Sequence, residues 1–124
     1  MTRGRTVLVV DDDEDVRDSV AFALEDHGYL VVLAGNGRVA LRMLLDDVRP
    51  DLILLDMMMP EMDGWTFRAE QRKHPAIASI PVLVFTAFAV PATTVQDLGA
   101  LGFLKKPLRL TELLATVASA LAPM

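Results

Sequence analysis

The 124-residue chain has no cysteine. That excludes disulfides and thiolate-held metals. It has no apolar run near the ~18 residues that suggest a membrane span. Its opening stretch, "MTRGRTVLVVDDD", carries an apolar run of only Val7–Val10, too short for a signal peptide. A cytoplasmic location is therefore expected, with no membrane partner. A basic excess is also missing: the net charge of −5 and the pI near 4.8 argue against nucleic acid as a partner and leave room for a cation. There is no internal repeat, low-complexity tract or linker. What is present is a 52% hydrophobic composition, enough to bury a core and too apolar for disorder. The length fits one domain, residues 1–124.

Short apolar runs alternate with helical patterns. "TVLVV" (6–10), "LVVLA" (30–34), "LILL" (52–55), "VLVF" (82–85) and "FL" (103–104) read as strands. Between Asp15 and His27, Val16, Val20, Ala23 and Leu24 share one helical face, and Gly28 suits the C-terminal stop. "GNG" (35–37) leads into a helix with Val39, Ala40, Met43 and Leu44 inward. Gly64–Lys73 is a third helix, in which Trp65 is expected to pack in the core. Thr93 and Gln96 have capping-box spacing for a fourth. Thr111 is expected to cap a fifth, with Leu113, Leu114, Val117 and Leu121 along one side. Strands without period-two alternation, separated by helices, predict a doubly wound α/β fold, (βα)5, around a parallel five-stranded sheet. Right-handed crossovers put all strand C-termini at one edge, where such sheets bind ligands.

The polar residues at those strand ends carry the chemistry. Strand one ends in Asp11, Asp12 and Asp13, strand three in Asp56, strand four in Thr86, and strand five leads to Lys105–Lys106–Pro107. If the sheet order is 2-1-3-4-5, the aspartates of strands one and three converge. Two carboxylates ~4 Å apart repel by roughly 4 kcal/mol at an effective dielectric of 20. Protonation of one relieves this; so does a hard divalent cation, and Mg2+ suits a site of few carboxylates completed by water and a phosphate oxygen. A hydroxyl and an ammonium nearby suit the other oxygens of a phosphoryl group, and a carboxylate can be its covalent acceptor. Taken singly the residues have plainer readings. The "DDDED" run can be a solvated helix N-terminus, Asp56 a polar strand stop, Thr86 a loop hydroxyl and the lysines surface charge. Their convergence on one edge favours the site.

The stretches "VLVVDDD", "GY" (28–29), "NGRVAL", "PDLILLDMMMPEMDG", "VFTA" and "KKP", in that order, resemble the receiver domain of bacterial two-component response regulators over nearly the whole chain. The resemblance implies a flavodoxin-like sheet of order 2-1-3-4-5. It implies that Asp56 accepts a phosphoryl group from a histidine kinase or phosphotransfer protein, and that an unidentified downstream protein reads the result. Asp12 would bind Mg2+ directly and Asp11 through water, with Asp56 and the Met58 backbone carbonyl completing the protein ligands. Thr86 would bond the phosphoryl oxygen and shift on activation, Lys106 would be the ion-pair partner before a cis Pro107, and Phe103 would be the aromatic switch. Lys105 would be solvated, Met57 would pack, Met59 and Pro60 would shape the loop, Asp63–Gly64 would turn it into a helix, and Ala87 would leave the phosphate accessible. Such a domain catalyses only its own phosphorylation and dephosphorylation.

The chain departs from the family pattern in two places. The segment from Thr86 to Lys106 is about two residues short and carries Pro91 and Thr93–Thr94, poor helix formers, so a short, irregular or displaced fourth helix is expected. Met58 and Phe88 are bulky and apolar at positions that influence phosphoryl lifetime in the family, which predicts a long-lived phosphoform. Two rival functions stand beside this reading. One is an aspartate-based phosphohydrolase, for which Asp11–Asp13 has suitable spacing but the chain offers no cap. The other is an interaction module with a vestigial site, against which the complete set of polar residues argues. No output domain or basic recognition helix is present in the sequence; a stand-alone regulator and a receiver cut from a longer protein both fit.

Overall fold

The structure, a computed structural model, describes residues 4–87 and 91–122. In chain order it comprises β1 (Thr6–Val10), α1 (Glu14–Asp26), β2 (Leu30–Ala34), α2 (Gly37–Leu45), β3 (Leu52–Leu55), α3 (Gly64–Arg72), β4 (Val82–Thr86), α4 (Ala92–Leu98), β5 (Gly102–Lys105) and α5 (Leu110–Ala120). The strands form one parallel sheet of order β2-β1-β3-β4-β5. Side chains alternate between its faces. Val7 and Val9 of β1, with Leu52, Leu54, Leu83, Phe85 and Leu104, pack against Val20 and Leu24 of α1 and Leu113, Val117 and Leu121 at α5. Leu8 and Val10, with Ile53, Leu55, Val82 and Val84, pack against Ala40 and Leu44 of α2, Phe67 of α3 and Leu98 of α4. Every residue of β3 and β4 is buried, which explains their unbroken apolar sequence. Each such Leu, Ile or Val contributes roughly 1.5–3 kcal/mol through its burial.

The helix starts depend on short polar side chains. Asp13 caps α1 by accepting from the N–H groups of Asp15 and Val16, Asn36 caps α2 through Val39 N–H, and Asp63 caps α3 through Thr66 N–H. Gly28 follows α1 at φ 89°, a conformation that favours glycine.

Four expectations are corrected. Val39 is exposed, because the cap at Asn36 starts α2 at Gly37 and so turns Gly37, Ala40 and Leu44 inward, with Met43 half-buried. Trp65 is 45% exposed, because the inward face of α3 is Gly64, Phe67, Arg68 and Gln71. Thr93 does not cap α4: the helix starts at Ala92 after Pro91, whose φ of −59° and ψ of 148° set the entry without a side-chain bond. Thr111 does not cap α5, which starts at Leu110 after Arg109, two residues earlier than such a cap would set it and also without a side-chain bond. The short α4 matches expectation at seven residues, and Gly99 ends it at φ 65°.

Candidate functional site

The C-terminal edge of the sheet gathers the acids. The β1–β3 register brings Val10 beside Leu55, and Asp56 N–H donates to the Val10 carbonyl at 3.0 Å. Asp11 and Asp56 therefore leave neighbouring strand ends together. Asp11 is fully buried, Asp56 is 4% exposed and Asp12 is exposed. One carboxylate oxygen from each of the three lies within 4.8 Å of the others.

Lys106, carried in from β5, closes the group. Its Nζ donates to Asp11 Oδ2 at 2.5 Å and to Asp56 Oδ2 at 3.2 Å, and lies 5.0 Å from the centre of the Phe85 ring. Its backbone N–H donates to the Thr86 carbonyl at 2.8 Å, which fixes the β5 exit against β4. The peptide bond between Lys106 and Pro107 is cis, as the resemblance implied. Thr86 ends β4 with its hydroxyl buried and without a hydrogen-bond partner. A buried polar atom left alone costs free energy, so this hydroxyl has unused capacity to donate.

The two carboxylates differ in their surroundings. Asp11 makes the shorter bonds: Oδ1 accepts the Asp13 N–H at 2.8 Å and Oδ2 accepts Lys106 at 2.5 Å. Asp56 accepts from Lys106 and, at 3.3 Å, from the Met58 N–H. Burial, followed by the Asp11 charge, pushes the Asp56 carboxyl above its ordinary pKa, while Lys106 opposes the shift. For Lys106 burial pulls the ammonium down, but the bond to Asp11 and the Asp56 charge outweigh it and leave it raised.

The loop after Asp56 is shaped by backbone geometry. Gly64 N–H donates to the Met57 carbonyl at 2.9 Å. A Cβ on Gly64 would stand 2.8 Å from the Met57 Cα and 3.0 Å from the Asp56 carbonyl oxygen, so only glycine lets α3 start this close to the acid. Glu61 sits at φ 68°, and the Met62 N–H bonds the Pro60 carbonyl across it at 2.8 Å. This is a γ-turn of the strained kind. Met57 is buried as expected, whereas the Met58 side chain is 50% exposed.

The structure brings Asp11, Asp12, Asp56 and Lys106 together and places Thr86 at the adjoining strand end. Asp13 is set apart as the α1 cap. Phe103 is half-buried on β5, paired with Val84 and packed against the α2–α4 side of the core. Lys105 is exposed. Phe88, expected beside Met58, lies outside the described residues.

The three clustered acids offer only hard oxygen ligands, and Asp12 has no side-chain partner among the described residues. That donor set fits Mg2+. Among the described residues no helix is long and apolar enough to cross a membrane.

A parallel five-stranded sheet with an acid-and-lysine cluster at its C-terminal edge defines a class, and comparison with known proteins identifies the family. The family described as "Response regulator receiver domain" matches residues 7–118, and the chain belongs to it. It is 42% identical over 125 residues to the regulatory protein AtoC of Escherichia coli, covering 98% of this chain and 26% of that protein. It is 43% identical over 111 residues to the response regulator MprA of Mycolicibacterium vanbaalenii, covering 88% of this chain and 47% of that protein. The chain thus spans half or less of these relatives' length. Among solved structures, the Vibrio cholerae chemotaxis protein CheY4 superposes with a TM-score of 0.86 at 34% identity, over 94% of this chain and 98% of that one.

Proposed function

We propose that this domain accepts a phosphoryl group on Asp56 from the phosphohistidine of a histidine kinase or phosphotransfer protein, and that the acyl phosphate switches its affinity for a downstream protein. The observation that carries this reading is the pair of buried carboxylates, Asp11 and Asp56, bridged by one lysine and adjoined by an exposed third acid. Burying two like charges is costly, and a buried acid cluster at the ligand-binding edge of a sheet marks a candidate functional site.

In the transfer, an Asp56 oxygen attacks phosphorus, an O–P bond forms, the P–N bond breaks and the electron pair returns to the departing imidazole. Asp12, Asp56 and the Met58 carbonyl would hold Mg2+, with Asp11 acting through water, as the family resemblance implies. The ion would supply charge neutralisation at the phosphoryl oxygens. Lys106 would exchange its bond with Asp56 for one with a phosphoryl oxygen and keep its bond with Asp11. Thr86 would give its unused hydroxyl to another phosphoryl oxygen, and that movement, together with Phe103, would pass the signal to the surface. The reaction is the domain's own modification, not turnover of an external substrate.

Incubation with Mg2+ and a small phosphodonor, followed by mass spectrometry, tests the proposal. One labile phosphate on Asp56 supports it. Continuous donor hydrolysis without a stable adduct would indicate a phosphohydrolase, and no reaction would indicate a vestigial site.

A further inference from the structure

We infer that Arg17 is a positioning residue that aims Asp12 at the cation; this rests on the metal-site reading above. Arg17 is the fourth residue of α1, at the end of its first turn, close to the helix's positive end, where the dipole disfavours a cation. Four acids surround it in sequence, at positions 13, 14, 15 and 18, yet among the described residues it pairs with none of them. Its Nη1 instead donates at 2.8 Å to the backbone carbonyl of Asp11. The same Nη1 lies against Gly35, where a Cβ would stand 3.3 Å from it.

The carbonyl it holds belongs to the peptide plane joining Asp11 to Asp12, and that plane is rigid. The other groups of Asp11 are already tied: its N–H to the Ala34 carbonyl, Oδ1 to the Asp13 N–H and Oδ2 to Lys106. Asp12, by contrast, has an exposed carboxylate with no side-chain partner among the described residues. What directs it is the peptide from which it projects, and Arg17 fixes that peptide. Outer partners that orient a ligand typically account for 10–100-fold in metal affinity.

Charge alone predicts the opposite sign. A guanidinium near three carboxylates repels a divalent cation, so a neutral side chain at position 17 would tighten binding if field were all that mattered. Positioning predicts weaker binding.

The test is Mg2+ affinity by calorimetry, with melting temperature measured in chelator, for wild type, Arg17→Met, Arg17→Lys and Gly35→Val. Arg17→Met should weaken Mg2+ about tenfold while changing the metal-free melting temperature little. Arg17→Lys, which keeps a donor, should recover part of the loss. Gly35→Val leaves Arg17 in place but displaces its guanidinium, so it should weaken Mg2+ too; it carries the test if Arg17→Met does not fold. Equal or tighter binding in Arg17→Met, or a lower metal-free melting temperature with unchanged affinity, overturns the inference and leaves the metal site standing. Absence of saturable binding in wild type overturns the metal-site reading itself and the inference with it.

Discussion

Replacing Asp56 with Asn removes the acceptor and one charge from the crowded edge, and the two effects can be read separately. At an effective dielectric of 20, a charge within 4.8 Å repels the Asp56 carboxylate by at least about 3 kcal/mol. That applies to buried Asp11; exposed Asp12 is screened and counts for about 1 kcal/mol. Lys106 at 3.2 Å attracts it by about 5 kcal/mol on the same scale. The pair energies nearly cancel, so burial decides the sign, and burial of an ion costs several kcal/mol. This agrees with burial as the first cause of the raised Asp56 pKa. Asn is therefore expected to stabilise the metal-free domain by about 1–2 kcal/mol at pH 7, raising the melting temperature by roughly 3–8 °C.

The pH dependence follows from linkage. A carboxyl whose folded pKa is raised takes up its proton more readily in the native state, so wild type regains stability as pH falls through that pKa. Below the ordinary Asp value of about 4, the advantage of Asn should vanish. Thermal melts in chelator at pH 7 and near pH 3.5, with mass spectrometry after phosphodonor treatment, measure both effects. Phosphate on the Asn variant at wild-type yield refutes the acceptor assignment. A lower melting temperature at pH 7, or an equal gain at both pH values, refutes the electrostatic account.

Three further outcomes are expected. Mg2+ should raise the melting temperature with the logarithm of its concentration above Kd, by about 2.7 kcal/mol of stabilisation at 100 times its Kd. Asp12→Ala should abolish most of that response at little cost to metal-free stability, while Asp13→Ala, which removes the α1 cap, should cost about 1 kcal/mol and retain the response; equal losses of response would misplace the ion. Amide exchange across Ala92–Leu98 should be faster than in β3, because α4 is mostly exposed and has no side-chain N-cap, whereas β3 is wholly buried; equal protection would contradict this. The phosphoform should last minutes to hours, since neither Met58 nor Phe88 can orient an attacking water by hydrogen bonding and such help is typically worth ~10²–10⁴-fold. A Met58→Asn, Phe88→Glu double variant that loses phosphate no faster than wild type after donor removal would end that argument.

How far the sequence discloses this structure depends on where each residue's determinants lie. The five strands were legible because a strand covered on both faces must be apolar throughout, so β3 and β4 show as unbroken runs. The edge constellation was legible because polar residues directly after such runs have only the strand end to occupy. The sheet order came with the family resemblance, since periodicity along one strand says nothing about its neighbours. The errors at Thr93 and Thr111 are errors of helix start, whereas Val39 and Trp65 were assigned to the wrong face, Trp65 on a helix that starts at Gly64 as expected. A one-residue shift in the start of a helix rotates every later side chain by about 100°, and Ser/Thr-x-x-Gln/Glu spacing also occurs within helices, where it caps nothing. Arg17 and the buried Arg68 were missed for a different reason, since both donate to backbone carbonyls. Arg68 bonds the carbonyls of Leu98 and Gly99 beyond its own helix, and Arg72 beside it bonds that of Asp97. Every residue offers the same backbone carbonyl, so no partner residue type marks such a bond in sequence. The available signal was negative: a cation near the positive end of α1, and an arginine at Arg68 on the inward face of α3 with no acid at helical spacing. A guanidinium in such a place needs oxygen acceptors, and backbone carbonyls provide them, for Arg17 despite the neighbouring acids and for Arg68 together with the Gln71 side chain.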